Sequence, residues 1–233
     1  VWMGEILFRT KLSENLFEGL APWLQKLPGG LIHVNVVGCA LFAAISGSSA
    51  ATVATVGKMS IPELRKRKYP EKILLGSLAG SGTLGLLIPP SIILIIYGVT
   101  VQESIAKLFI AGIIPGIMIA LIFMGYVIVW SLLNKNKMPT NYENFSFLNK
   151  LSKSKQLIPV ILLILGVIGS IYTGIATATE AASLGVVGAL ILSYFQKSLT
   201  LKTFKDSLLG ATKTSCMIAF ILAGATFLSL AMG

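Results

Sequence analysis

The chain has 233 residues, of which 55% are hydrophobic and only 12% are charged. A soluble globular domain carries about 25% charged residues, so this composition, with a mean hydropathy of +0.84, excludes an ordinary soluble enzyme, a disordered tail and a disulfide-built secreted domain. The net charge is +10, but the Lys and Arg residues lie between apolar runs. This positive-inside pattern is typical of a membrane protein rather than a nucleic-acid-binding one, so we predict an all-α integral membrane protein in a lipid bilayer.

The two ends of the sequence are unusual. Residue 1 is Val1 rather than Met, and the chain stops at Gly233 within the apolar run 217–232. We therefore expect a fragment, in which any site shared with other parts of the protein is incomplete.

The first segment, residues 1–30, mixes leucines at roughly helical spacing with charged residues. This pattern predicts an amphipathic helix on the membrane surface, or the end of an earlier span followed by such a helix. Pro28, Gly29 and Gly30 end it.

Residues 31–57 are apolar but contain the polar run Ser46, Gly47, Ser48 and Ser49 at their centre. The segment could form one span or two half-helices that meet at these serines. Basic residues precede and follow it, so both ends are expected on the cytoplasmic side. This favours a re-entrant hairpin.

The next apolar run, residues 73–97, is interrupted by Pro89 and Pro90, which remove backbone donors and predict a broken helix. Residues 98–104 have no basic residue and are expected outside, and residues 105–133 return as a span.

Residues 134–156 are rich in lysine and are predicted to form a cytoplasmic linker. Residues 157–233 contain the apolar runs 157–172, 181–195 and 208–232. Because 58–72, 134–156 and 196–206 are basic, all three are assigned to the cytoplasmic side.

Several motifs have a simpler structural interpretation. Gly80, Gly82 and Gly85 match the spacing of a dinucleotide fingerprint, but they lie in a membrane run without the required strand, and close helix packing is the better explanation. Gly112 and Gly116 are also expected to serve packing. The sequence has no Ser-His-Asp, Cys-His or metal-ligand grouping, so we predict that the protein is not an enzyme.

The serine-rich centre at 46–49 and the run Pro89, Pro90 and Ser91 are the two features that packing explains least well. Unwound backbone inside a membrane exposes carbonyls and hydroxyls to a cation, and half-helix N-termini to an anion. Two such breaks in one chain suggest a solute or ion site between them. Two kinked packing helices are the alternative.

Glu180 lies next to an apolar run, where a carboxylate is a functional candidate by default. Thr177 and Thr179 precede it, which is also the pattern of a helix N-terminus with an acid in its first turn. We favour the capping role.

The sequence resembles the large membrane subunit of TRAP (tripartite ATP-independent periplasmic) transporters. The similar runs, which cover nearly the whole chain, are 27–31, 42–51, 61–64 with 69–70, 85–92, 108–116 and 174–182. Ala178 departs from the family pattern, which usually has Pro between the two threonines.

The resemblance implies an elevator-type secondary transporter with two inverted repeats. Residues 31–133 would be the transport-domain part of the first repeat, and 157–233 the start of the second, with the Glu180 motif on its scaffold side. One sodium site would use Ser46, Ser49, Gly85, Ile88 and Pro89. The second sodium site would lie outside this chain.

The resemblance also implies a function. We expect the membrane subunit of a sodium-driven transporter in the bacterial or archaeal cytoplasmic membrane, which imports organic acids such as C4-dicarboxylates, sialic acids or 2-oxo acids. Its partners would be a small membrane subunit and a periplasmic substrate-binding protein, with Na⁺ as coupling ion and no other cofactor. A sodium/organic-anion symporter without a binding protein and a non-transporting membrane scaffold are the alternatives.

Overall fold

The structure is a computed structural model that describes residues 1–10, 12–139, 147–155 and 157–232. Every regular element within these ranges is a helix. The α-helices are α1 (Trp2–Phe8), α2 (Leu12–Leu24), α3 (Ile32–Ser46), α4 (Ser49–Lys66), α5 (Glu71–Gly82), α6 (Ile92–Val101), α7 (Ile105–Leu133), α8 (Phe147–Ser154), α9 (Ile158–Tyr172), α10 (Ala178–Phe195) and α11 (Leu201–Met232). Short 3₁₀ helices occupy Thr83–Leu86 and Lys135–Lys137.

Three of the described helices are long and apolar enough to cross a membrane: Ile105–Leu133, Ala178–Phe195 and Leu201–Leu228. Many of their large apolar side chains are exposed, including Ile114, Leu121 and Phe220. A lipid environment explains such surfaces, because burying them from water requires hydrocarbon or another protein surface. The predicted all-α membrane protein is confirmed.

Helix α3 is the centre of the structure. It packs against α1, α2, α4, α5 and α7, so apolar side chains on all its faces, such as Ile32, Cys39 and Phe42, are buried. A helix that is apolar all round needs such an environment, since it has no face suited to water. The turn before it uses Gly29 and Gly30 at positive φ, and His33 Nε2 donates to the Pro28 carbonyl at 2.8 Å.

Residues 1–30 contain two helices, α1 and α2, and the sequence had left open one helix or two. Helix α1 packs against α3, α4, α10 and α11, and its Ile6 and Leu7 are buried. Only α2 has the half-buried character expected of a surface helix, with Leu16 buried and Trp23 exposed. Both helices carry charged residues among leucines, so the sequence pattern does not separate them. Their different burial comes from tertiary packing.

Helix α4 continues to Lys66, well beyond the predicted hairpin boundary at residue 57. The predicted boundary came from hydropathy, which shows where the apolar run ends. The helix itself continues as long as its backbone hydrogen bonds are kept. Arg65 of α4 then pairs with Glu71 of α5 (Nε to Oε1 3.1 Å), and these hydrogen bonds lower the pKa of Glu71 from its ordinary value. The pair links the two helices across the intervening turn.

The predicted broken helix 73–97 comprises α5, a 3₁₀ turn, an interruption at 87–91 and α6. Helix α6 extends to Val101, into the stretch predicted as an external loop, and ends where Gln102 adopts a φ of 57°. Helix α7 has the predicted bounds 105–133. Of the predicted linker 134–156, residues 140–146 and 156 lie outside the described residues.

Candidate functional site

Helices α3 and α4 form a hairpin whose tip consists of residues 46–49 (the hairpin tip). Gly47 adopts a left-handed conformation with φ 61°, and its N–H closes α3 by bonding to the Ala43 carbonyl at 3.0 Å. Ser48 is the N-cap of α4, and its hydroxyl accepts a hydrogen bond from the Ala51 N–H. A glycine C-cap followed by a serine N-cap explains why the chain reverses here.

The hydroxyl of Ser46 points into the hairpin. It lies 2.9 Å from Thr52 Oγ1 and accepts the Ser48 N–H at 3.3 Å, while Thr52 Oγ1 donates to the Ser48 carbonyl at 2.7 Å. Both Ser46 and Thr52 are buried. Thr52 was not singled out from the sequence, because an isolated threonine in an apolar run has no distinguishing pattern.

The second interruption is at residues 87–91 (the proline break). Pro89 and Pro90 are joined by a cis peptide bond. Neither has an N–H, so the carbonyls of Gly85 and Leu86 lack the donors that a continuous α-helix would supply. Ser91 Oγ donates to the Leu86 carbonyl at 2.6 Å and so replaces one of these donors.

The structure brings the hairpin tip and the proline break together. Ile92 N–H donates to the Gly47 carbonyl at 3.2 Å. A β-carbon on Gly47 would lie 2.6 Å from the Pro90 carbonyl oxygen, and one on Gly85 would lie 2.9 Å from Ser49 N. Backbone therefore touches backbone at both contacts, and only glycine permits this approach. The residues predicted for one site share one location.

Helix α7 supports the proline break from the other side. A β-carbon on Gly112 would lie 2.8 Å from the Leu87 carbonyl oxygen, and one on Gly116 would lie 2.9 Å from Ile88 Cγ1. Gly82 of α5 faces Val53 of α4 in the same manner. These glycines serve close packing, as predicted, and no strand accompanies the dinucleotide-like spacing in the described residues.

Four helix ends meet at this junction. The C-terminal carbonyl ends of α3 and of the 3₁₀ turn Thr83–Leu86 lie at the junction. The N-termini of α4 and α6 lie there too. Carbonyl ends carry partial negative charge and N-termini carry partial positive charge. The junction therefore offers oxygen ligands to a hard cation and N–H groups to an anion.

Carboxylates do not contribute a metal site in the described part of the chain, where no group of three or more His, Cys, Asp or Glu could hold a metal ion. A cation at the junction would instead be held by backbone carbonyl and hydroxyl oxygens. The residues present fit Na⁺ in this respect, because unwound backbone is a common sodium ligand in membrane transporters.

The Glu180 motif lies apart from the junction, on α10, which packs mainly against α9 and α1. Thr177 is the N-cap of α10, and Glu180 Oε2 accepts the Thr177 N–H at 2.8 Å. The Thr177 hydroxyl also donates to Glu180 Oε2 at 2.8 Å, and Glu180 N–H donates back to Thr177 Oγ1 at 3.3 Å. This is a complete capping box, and Thr179 is not one of its two members.

Helix α1 reaches the hairpin tip, which the sequence did not reveal. A β-carbon on Gly4 would lie 2.7 Å from Ser46 Cα. On its other sides α1 meets α10, where Met3 Sδ lies close to Gly185, and α11, where Trp2 Nε1 donates to Ser207 Oγ at 3.2 Å. The tip is therefore connected through α1 to helices that follow the linker.

Comparison with known proteins matches the whole chain, residues 1–233, to the family described as "Tripartite ATP-independent periplasmic transporter, DctM component". The C4-dicarboxylate TRAP transporter large permease protein DctM of Pseudomonas aeruginosa is 37% identical over 223 residues, which are 95% of this chain and 52% of that protein. The sialic acid TRAP transporter permease protein SiaT of Haemophilus influenzae is 36% identical over 225 residues, 96% of this chain and 36% of that protein.

A third relative, the ectoine/5-hydroxyectoine TRAP transporter large permease protein UehC of Ruegeria pomeroyi, is 33% identical over 231 residues, 97% of this chain and 52% of that protein. The chain thus spans about half the length, or less, of these relatives. All three are named as permeases and not as enzymes. With a family match along its entire length and these relatives, the chain belongs to the DctM component family of tripartite ATP-independent periplasmic transporters.

Proposed function

We propose that the complete protein is the large membrane subunit of a sodium-driven secondary transporter that imports organic acids across the cytoplasmic membrane. It would receive its substrate from a periplasmic binding protein and work with a small membrane subunit. The hairpin and the proline break would move together as one rigid unit relative to the rest of the protein.

The observation that carries this proposal is the junction of the hairpin tip with the proline break. Gly47 and Ile92 share a backbone hydrogen bond, and Gly85 lies against Ser49. A packing role alone requires close contact, but it does not require two helix interruptions to coincide. Their coincidence supports a solute or ion site.

Within the junction, Ser46, Ser49, Gly85, Ile88 and Pro89 are the residues that would hold Na⁺. The Ser46 hydroxyl is already engaged with Thr52 and Ser48, so we assign to Ser46 its carbonyl oxygen, at the C-terminal end of α3. Ser49 is half-buried and begins α4. Bound Na⁺ would supply the positive charge that links the tip to the break.

The named substrates of the relatives define the substrate class that we propose. The names of the three relatives described above give C4-dicarboxylates, sialic acid and ectoine or 5-hydroxyectoine. All three carry carboxylate groups. The N-termini of α4 and α6, which meet at the junction, would favour such groups through their partial positive charge.

The proposal is tested by measuring uptake of a labelled organic acid against sodium concentration, in proteoliposomes that contain the complete protein, its small subunit and its binding protein. We expect Ser49→Ala to raise the sodium concentration for half-maximal uptake about tenfold, because one oxygen ligand is lost. Ser183→Ala is the matched control, since Ser183 lies on the exposed face of α10.

Three results would contradict the proposal. If Ser49→Ala and Ser183→Ala have the same sodium dependence as the unmodified protein, Ser49 is not a ligand. If uptake is equally fast without a binding protein, the protein is a symporter of another kind. Absence of any specific flux from the complete, folded assembly would instead indicate a membrane scaffold.

A further inference from the structure

A large cavity lies away from the junction, among α1, α2, α4, α8 and the segment between α10 and α11. Its volume is about 780 Å³, within the range typical of small-molecule sites. The first residue of α4 that lines the cavity is Lys58, nine residues after Ser49, and Met59 follows it. At 1.5 Å per residue this is roughly 14 Å along the helix from the hairpin tip.

The wall of the cavity is basic. Five cationic side chains line it, against two carboxylates. The cations are Arg9, Lys58, Arg67, Lys153 and Lys197. They come from four separate parts of the chain, so the fold rather than a local sequence run brings them together.

The carboxylates do not neutralise this wall. Glu63 is paired with Arg67, at 2.8 Å, and Glu18 is the other acid. Arg9 pairs with Glu5 at 3.2 Å. Lys58 and Lys197 have no ion pair with any residue that the structure describes. The ammonium groups of Lys58 and Lys197, both of which line the cavity, are thus available to an anion.

The cavity also has an apolar part, which includes Phe8, Phe17 and Leu31. A ligand that combines an anionic group with a short apolar portion would match both parts. The anionic group would contact the ammonium groups, while the apolar portion would be removed from water.

We propose that this cavity binds the phosphate group of an anionic ligand, either the head group of an anionic phospholipid or a free phosphate. The segments 58–72, 134–156 and 196–206, which the charge pattern assigns to the cytoplasmic side, all contribute to it. Basic pockets between membrane helices on that side suit anionic head groups. A ligand here would link the hairpin helix α4 to α1, α8 and the segment after α10.

The test measures binding of dioctanoyl-phosphatidylglycerol to the purified complete protein in detergent, with dioctanoyl-phosphatidylcholine as zwitterionic comparison. The double variant Lys58→Gln/Lys197→Gln should bind phosphatidylglycerol about thirtyfold more weakly, since each cation near a phosphate contributes on the order of a fivefold gain in affinity. The matched control Lys202→Gln/Lys205→Gln removes the same charge from exposed positions outside the cavity wall and should bind as the unmodified protein does.

Inorganic phosphate at about 10 mM separates the two sources. Competition with phosphatidylglycerol supports a site for phosphate itself, and failure to compete, with the same loss in the double variant, supports a lipid head group. Equal binding of phosphatidylcholine, equal loss in both double variants, or no loss in Lys58→Gln/Lys197→Gln would overturn the proposal. These readouts do not depend on transport, so they are independent of the function proposed above.

Discussion

At the scale of single residues, the hairpin tip is held by a small closed network of hydroxyls. The buried hydroxyls of Ser46 and Thr52 bond to each other, while Ser46 Oγ accepts the Ser48 N–H and Thr52 Oγ1 donates to the Ser48 carbonyl. A buried polar group without a partner costs free energy, so the three residues depend on one another. Thr52 is the link that joins the two sides of the tip.

The first prediction concerns Thr52→Val, which keeps the side-chain shape and removes the hydroxyl. It deprives Ser46 of its partner at 2.9 Å and should lower the free energy of unfolding by about 1–3 kcal/mol. Thermal unfolding of the complete protein in detergent measures this as a lower midpoint.

Thr55→Val is the control for this prediction. Thr55 is also buried, but its hydroxyl bonds only to the Ala51 carbonyl of its own helix, at 2.7 Å. Its loss should cost less, because no other side chain depends on it. Equal effects of the two substitutions would mean that the hydroxyl network does not hold the tip.

At the scale of elements, α7 supports the proline break through a surface of small residues. Gly112 and Gly116 are one turn apart and face Leu87 and Ile88, respectively. Small residues at this spacing let helix and backbone approach closely in membranes. The position of the break therefore depends on the shape of α7 as well as on the prolines.

The second prediction is that Gly112→Ala destabilises the junction. The added methyl group would lie 2.8 Å from the Leu87 carbonyl oxygen, which requires a backbone shift at a cost of about 1–3 kcal/mol. The midpoint of thermal unfolding should fall, and the sodium concentration for half-maximal uptake should rise.

Gly125→Ala provides the comparison within the same helix. Among the described residues, no atom would lie within 4 Å of its β-carbon apart from its chain neighbours and the helix's own backbone. Alanine is favoured over glycine in a helix by about 0.5–1 kcal/mol, so this variant should be equally or more stable. A loss as large as that of Gly112→Ala would indicate that the effect comes from the helix and not from the contact.

At the scale of the whole molecule, three basic segments that are distant in sequence line one cavity. Lys58, Lys153 and Lys197 belong to different segments, each assigned to the cytoplasmic side by its charge. Because the three lysines line one cavity, one orientation of the protein in the membrane places all three segments on the same side. Gln102 and Glu103 follow α6 in the segment assigned to the opposite side.

The third prediction concerns this orientation in the membrane. A membrane-impermeant maleimide should label Gln102→Cys in intact cells, whereas Lys202→Cys should be labelled only after the membrane is disrupted. Both substitutions are made at exposed positions, in a background where the exposed Cys216 is replaced by Ser, while the buried Cys39 is kept. Labelling of Lys202→Cys in intact cells would reverse the assigned topology.

Much of the fold follows from the order of apolar and basic runs. The bounds of α7 and the presence of both interruptions were predicted, because a long apolar run, two prolines and a serine-rich centre each have a local physical effect. The ends of α4 and α6 were not predicted, because helices continue into polar surroundings wherever their backbone hydrogen bonds are kept. The burial of α1 was also missed, since its partners α10 and α11 are about 200 residues away.

By itself, the sequence determined the membrane environment and the two helix interruptions, because hydropathy and missing N–H groups act locally. Only the tertiary structure decided that the interruptions meet, that Thr52 and α7 support them, and that separate lysines line one cavity. These outcomes depend on which helices pack together. The packing of whole helix surfaces brings residues that are distant in the chain into contact, and no local sequence pattern specifies that packing.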